Sequence, residues 1–269
     1  MIRSIAAEFR KVRQRPALLF SALTIVGIVA LIYAVSYYQA LQPSTGQRGA
    51  VSLASLYPAG FVATVIGIVP GLIGAVAVVL GAISVGTEYQ WSTIKTQLLQ
   101  GPGRLTTLFS KFVILAAWMA LLTVAFYATA AAGSLSVALL QQHSIAWPAA
   151  SLIGQAVAAT WLIAFCYAML GAGLAFVFRQ SAVALGVGLI YVAVVQTLLV
   201  GVLATLGGGA YKWVTKLFDG QNAGSLVDSI AGPGQTPLVG ATQATLVLLA
   251  YIAMFAAVAG TLARRRDIA

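Results

Sequence analysis

Six long apolar runs restrict what this chain can fold into more than any other feature. They lie at residues 17–37, 59–86, 112–134, 150–177, 182–204 and 241–263, and each holds 21 residues or more. About 20 apolar residues in a helix are enough to cross ~30 Å of hydrocarbon. Hydrophobic residues reach 61% and charged ones only 7%, against about 25% charged in a globular domain. The sequence therefore predicts an all-α integral membrane protein with six transmembrane helices.

The net charge of +10 would suggest nucleic acid if the chain were soluble, but the placement of the charges argues otherwise. Residues 1–16 carry Arg3, Arg10, Lys11, Arg13 and Arg15, with Ile2, Ile5, Phe9 and Val12 spaced along one helical face. That pattern fits an N-terminal interfacial helix on the lipid of an anionic inner leaflet; a bare topogenic charge cluster is the alternative. The apolar run that follows is too long for a cleaved signal peptide and ends without a small-x-small site. With the N-terminus inside, every basic residue except Arg48, Lys212 and Lys216 falls on the inner side. The positive-inside rule then places both termini in the cytoplasm and the chain in the plasma membrane.

No G-x-x-x-x-G-K-[ST] phosphate loop, zinc signature or nucleophile signature occurs, so no catalytic residue is expected and the chain cannot hydrolyse ATP by itself. Cys166 is alone, which excludes an intrachain disulfide and a site of several thiolates. His143, in a short outer loop, has no carboxylate or thiol neighbour in sequence and is read as solvated. No metal site is expected. The stretches outside the membrane are too short for a soluble domain of ~50 residues, leaving a single transmembrane domain over residues 1–269.

The segment between the second and third runs is unusual. Residues 87–111 are polar and Trp-bearing, and topology places them at the cytoplasmic surface. Thr87 followed by Gln90 fits a capping box, which predicts a helix starting at Glu88. Trp91, Ile94 and Leu98 then share one face, while Glu88, Thr93, Lys95 and Gln97 lie elsewhere on it. Gly101-Pro102-Gly103 breaks that helix, because proline removes a donor and disfavours helical geometry before it. Leu105, Leu108, Phe109 and Phe112 resume helical spacing into the third run, with Arg104 and Lys111 on a shared face.

Other features have plainer readings. Pro70 predicts a kink in the second run, where Gly67, Gly71, Gly74 and Gly81 suit close helix packing, as do Gly171, Gly173, Gly186 and Gly188. The outer segment, residues 205–240, interleaves Tyr211, Trp213, Leu217 and Phe218 with Lys212 and Lys216, which marks a re-entrant or interfacial helix. Ionisable side chains are nearly absent from the runs, an argument against a proton- or ion-coupled carrier. Polar groups do occur, at Tyr33, Tyr37, Thr64, Thr123, Tyr127, Gln155, Thr160, Tyr167, Gln196, Thr197, Gln243 and Tyr251. Tyr33, Thr64, Thr123, Tyr127, Gln155, Tyr167, Gln196 and Thr197 are candidates for lining a substrate cavity, and each has an interhelical hydrogen bond as its simpler role.

Together these pieces resemble the type-2 permease subunits of ABC exporters, the class with the ABCG-like fold. The motif is Gly86-Thr87-Glu88-Tyr89 with Thr93, Leu98 and Leu99, then Arg104 and Lys111; Ser92 stands where the family often has glycine before that Thr. The resemblance implies that residues 87–111 hold a cytoplasmic coupling helix which docks into a separate cytoplasmic ABC ATPase subunit. It further implies that the partner binds ATP and Mg while this chain holds no cofactor, and that the permease pairs with a second copy or a homologous subunit. The coupling residues would be Glu88, Tyr89, Trp91, Thr93, Ile94, Lys95, Leu98, Leu99, Arg104 and Lys111. A largely uncharged interior suits a hydrophobic or amphipathic substrate such as a drug, peptide antibiotic or lipid. A stand-alone carrier or channel, or a non-transporting anchor or immunity protein, are the competing readings.

Overall fold

The computed structural model describes residues 9–10, 16–42, 52–90, 103–206, 210–232 and 236–265. Of the expected N-terminal helix only Phe9, Arg10 and Pro16 fall within these. Helix α1 (Pro16–Leu41) is the first span. A short α2 (Leu53–Leu56) and a 3-10 turn (Pro58–Gly60) precede α3 (Phe61–Ile66), a π turn (Val69–Ile73) and α4 (Gly74–Gln90), which together make the second span. The third and fourth spans are unbroken, α5 (Arg104–Leu140) and α6 (Ala150–Phe178). The fifth is α7 (Ser181–Ile190), a π turn (Tyr191–Val195) and α8 (Gln196–Thr205). Two further helices, α9 (Lys212–Thr215) and α10 (Asp219–Ala231), precede the sixth span, α11 (Ala241–Arg265).

The apolar runs thus become six helices long and apolar enough to cross a membrane, and the described residues form no strand. The kink expected at Pro70 takes the form of the π turn. Proline has no N–H to continue the α ladder, and the wider turn absorbs the missing bond.

Helix α6 is the central post. Its buried side runs from Ala156 to Phe176, and α4 lies directly against it. The closeness has a cause in the sequence. A Cβ on Gly81 would overlap the Ala168 carbonyl oxygen, and one on Gly171 would overlap the Val78 carbonyl oxygen. Backbone meets backbone there, as small residues permit between membrane helices. At Gly74 the same seam admits the Tyr167 ring, 3.0 Å from where a Cβ would stand. Gly67 and Gly71, the pair at GxxxG spacing, meet nothing within 4 Å and take no part in this seam.

On the other side of the post, Trp161 Nε1–H donates to the Ala116 carbonyl of α5 at 2.9 Å, and Tyr127 and Thr160 share a buried hydroxyl bond of 3.0 Å. Helix α1 leans mainly on α5, with Tyr33 packed on Gly133 and Gln141 Nε2–H donating to Tyr37 Oη at 2.7 Å. Large apolar side chains such as Leu19, Phe20, Leu121, Leu198, Leu246 and Met254 face outward, as they do when the surroundings are lipid.

Candidate functional site

The end of the bundle where α4 hands over to α5 carries the sequence motif. Helix α4 runs without interruption through Gly86-Thr87-Glu88-Tyr89-Gln90, which corrects the expected helix start at Glu88. Thr87 is no cap: its hydroxyl donates to the Ile83 carbonyl one turn back, at 2.7 Å. The capping pattern was overridden because the apolar helix preceding it already supplies the carbonyl partners for these N–H groups. The third-span helix starts at Arg104, with the Gly103 carbonyl accepting the N–H of Thr106 (2.9 Å) and Thr107 (3.2 Å).

Three contacts tie this end together. The Glu88 carboxylate is 3% exposed and forms an ion pair with Lys111 Nζ, two turns into α5. Glu88 stands in the last turn of α4, where the helix dipole disfavours an anion, so the lysine offsets both the dipole and the desolvation. Tyr89 sets its ring edge-on against Phe176 of α6, with centroids 6.0 Å apart. Gly86 lies against the start of α7, and a Cβ there would stand 2.5 Å from Ser181 Cα. Glycine is the one residue that permits that approach. The two-residue turn just before Ser181 places Arg179 in the left-handed region (φ 55°). About one turn of helix, Gly86 to Tyr89, therefore touches the third, fourth and fifth spans.

Of the proposed coupling residues, Glu88, Tyr89 and Lys111 are brought together here. Arg104 is the first residue of α5. Trp91, Thr93, Ile94, Lys95, Leu98 and Leu99 lie outside the described residues.

Of the polar residues named as cavity candidates, Tyr167 and Gln196 are brought together, and the others are dispersed. Tyr127 is bonded to Thr160, as above. Tyr167 is buried beside Gly74 and shares a hydrogen bond with Gln196, which is itself buried against Gly220. Tyr33 Oη and Thr123 Oγ1 are buried with no partner among the described residues. Thr64 sits in α3, its hydroxyl donating to the carbonyls of Ser55 (2.6 Å) and Gly60 (3.1 Å). Gln155 and Thr197 are exposed on the outside of the bundle. His143, also exposed, stacks on Tyr57 at 3.9 Å between centroids, a pairing that no local pattern signals. No group of His, Cys, Asp and Glu able to hold a metal exists among the described residues, and Cys166 is buried.

One polar cluster is only partly visible in the sequence, which points to Gln196 and Tyr251 but not to Asp219 or Tyr191. Residues 210–232 fold back so far that Asp219, at the start of α10, meets the middle of the fifth span. Asp219 Oδ1 accepts hydrogen bonds from Tyr191 Oη–H (2.6 Å) and Gln196 Nε2–H (2.7 Å). Gly220 makes this possible, since a Cβ there would overlap the Gln196 amide. Next to it the Leu217 carbonyl accepts Tyr251 Oη–H of α11 at 3.2 Å. Asp219 opens a largely polar helix, and nothing in its local pattern signals that depth; Gly220 after it is the one hint.

Six apolar helices and this packing define a multi-pass, all-α membrane protein. A family model for the ABC-2 family transporter protein matches residues 4–195, well over half of the chain, and the protein belongs to that family. It is a permease of the ABC-2 type, the transmembrane component that works with an ABC ATPase and is typically non-catalytic itself. The match includes the motif at 86–111 and stops short of the outer segment. No curated protein matches the chain.

Proposed function

We propose that this chain is the membrane half of an ATP-driven exporter, in which residues 87–111 carry force from a separate cytoplasmic ATPase into the spans. The observation that carries the reading is the Glu88–Lys111 ion pair. It joins the two helices flanking the elbow across the gap between them, so a push on the elbow moves α4 and α5 as one body. Tyr89 on Phe176 and Gly86 on Ser181 extend that body to α6 and α7. Buried in this way, Glu88, Tyr89 and Lys111 transmit force, while Trp91, Ile94, Lys95 and Leu98 dock to the partner cleft. Such a bistable packed unit is what a switch between inward and outward access needs.

ATP and Mg belong to the partner. Two permease copies, or this chain and a homologous subunit, assemble in the plasma membrane with both termini in the cytoplasm. The substrate is hydrophobic or amphipathic, of the drug, peptide-antibiotic or lipid kind, in keeping with a membrane interior that carries aromatic and hydroxyl groups and few charges.

The test is reconstitution with the ATPase that co-purifies with the chain. Wild type is expected to stimulate ATP hydrolysis, and Leu98→Asp to abolish that stimulation while inserting normally. Unchanged stimulation by Leu98→Asp, or substrate flux through liposomes holding this chain alone without ATP, would overturn the proposal.

A further inference from the structure

Asp219 is 1% exposed, yet no basic side chain pairs with it among the described residues. An isolated carboxylate among apolar helices is costly, by several kcal/mol even after relaxation, unless it is paired or neutralised. Among the described residues its surroundings supply no cation. The fifth span presents Tyr191 and Gln196, α6 presents Cys166 and Tyr167, and α11 presents Tyr251. The two pieces of the second span against which α10 packs, Phe61–Ile66 and Val69–Ile73, hold no titratable residue. Lys216, three residues back, is exposed, and Asp228 lies more than two turns along α10.

The bonds that the carboxyl group accepts, from Tyr191, Gln196 and the backbone N–H groups of Gly220 and Asp219, favour the charged form and offset part of that cost, whereas the neighbouring Asn222 favours the neutral acid. Both side-chain donors, Tyr191 and Gln196, serve the same oxygen, Oδ1. One turn along α10, on the same face, Asn222 is fully buried. Its Nδ2 donates to the Lys216 carbonyl (2.8 Å) and the Phe218 carbonyl (2.7 Å), which leaves Oδ1 an acceptor with no donor. Buried polar atoms are rarely left so. A proton on Asp219 removes the charge and adds one donor at the face where an acceptor lacks one.

We propose that Asp219, with Tyr191, Gln196 and Asn222, is a proton-binding site that latches the outer segment into the bundle. The proton comes from water on the outer side. With it, the segment 212–231 is held by neutral hydrogen bonds at the centre of the fifth span. Without it, a bare carboxylate favours withdrawal of that segment toward water, which opens the outer end. The site concerns the outer gate and is independent of how the elbow meets its ATPase.

Infrared difference spectroscopy on the full chain in lipid nanodiscs tests this without ATPase or substrate. At neutral pH the wild type is expected to show the C=O stretch of a protonated carboxylic acid, absent in Asp219→Asn and fading as pH rises. Asn222→Leu removes the waiting acceptor and should lower the proton affinity about tenfold, one pH unit. Tyr191→Phe removes a donor that favours the charged form and should raise it by a similar factor. A merely structural role for these residues would not move the midpoint in opposite directions. Absence of the protonated band in wild type at neutral pH, or its loss when sodium is raised at fixed pH, would overturn the proposal; the second outcome would mean a metal cation occupies the site. Shifts of the same sign in both variants would also overturn it.

Discussion

Glu88 and Lys111 are 23 residues apart in sequence, yet one carboxylate oxygen of the first meets the ammonium of the second in a site that is nearly closed to water. The pair bridges the two helices that emerge toward the elbow. A buried ion pair stabilises little relative to an apolar pair of the same shape, but half of one is expensive, because the remaining charge is uncompensated. Its value lies in rigidity and register.

Lys111→Met should therefore cost about 3–5 kcal/mol, seen as a large drop in unfolding temperature of the purified protein. The double variant Glu88→Leu, Lys111→Met should recover most of that stability. If the pair transmits force, the double variant remains impaired in stimulating the partner ATPase while unfolding near the wild-type temperature; full stimulation would reduce the pair to a structural brace.

Gly81→Ala and Gly171→Ala should each destabilise by roughly 1–3 kcal/mol, since the added methyl meets a backbone carbonyl that cannot rotate away. Gly67→Ala, at a position with nothing within 4 Å, should be tolerated. The comparison of the three unfolding temperatures separates a packing seam from a helix-propensity effect, because propensity alone would make all three substitutions favourable.

Tyr127→Phe removes one side of the buried bond to Thr160. Hydrogen bonds between membrane helices average about 0.6 kcal/mol, so a fall of one or two degrees in unfolding temperature is expected. A much larger fall would mean that the hydroxyl holds more of the α5–α6 interface than this single contact.

Burial pushes the Asp219 carboxyl above its ordinary value of 3.8, while Tyr191 and the backbone N–H groups of Gly220 and Asp219 pull it back. Because the native state holds the proton more firmly than the unfolded chain, this group's contribution to stability is complete below about pH 4 and is lost as pH rises through the native value. The unfolding midpoint of wild type, measured relative to Asp219→Asn, should decline over that window. A relative midpoint that climbs with pH would contradict the raised carboxyl.

Much of the architecture was legible beforehand because it rests on local rules. Six apolar runs gave six long helices, Pro70 marked a helix irregularity, and the Gly86 to Lys111 motif pointed to the family that the chain belongs to. The capping box at Thr87 misled because a capping pattern describes a helix that begins there, and this helix arrives from the membrane already formed. Gly67 and Gly71 misled in a similar way: spacing identifies small residues, but only the crossing point of two helices decides which of them touch. The paucity of charge in the apolar runs was real, yet it gave no warning that the outer segment brings Asp219 to the centre of the fifth span.

The sequence alone determined that this chain must be a set of membrane-spanning helices, and which end of them carries the basic residues, because hydropathy and helix length are properties of single segments. The pairing of Glu88 with Lys111, the Gly81–Ala168 crossing, and the descent of Asp219 onto Tyr191 and Gln196 were decided by tertiary structure. Each depends on how segments distant in the chain lie against one another, and a polar side chain in an apolar bundle takes the partner that packing brings within reach.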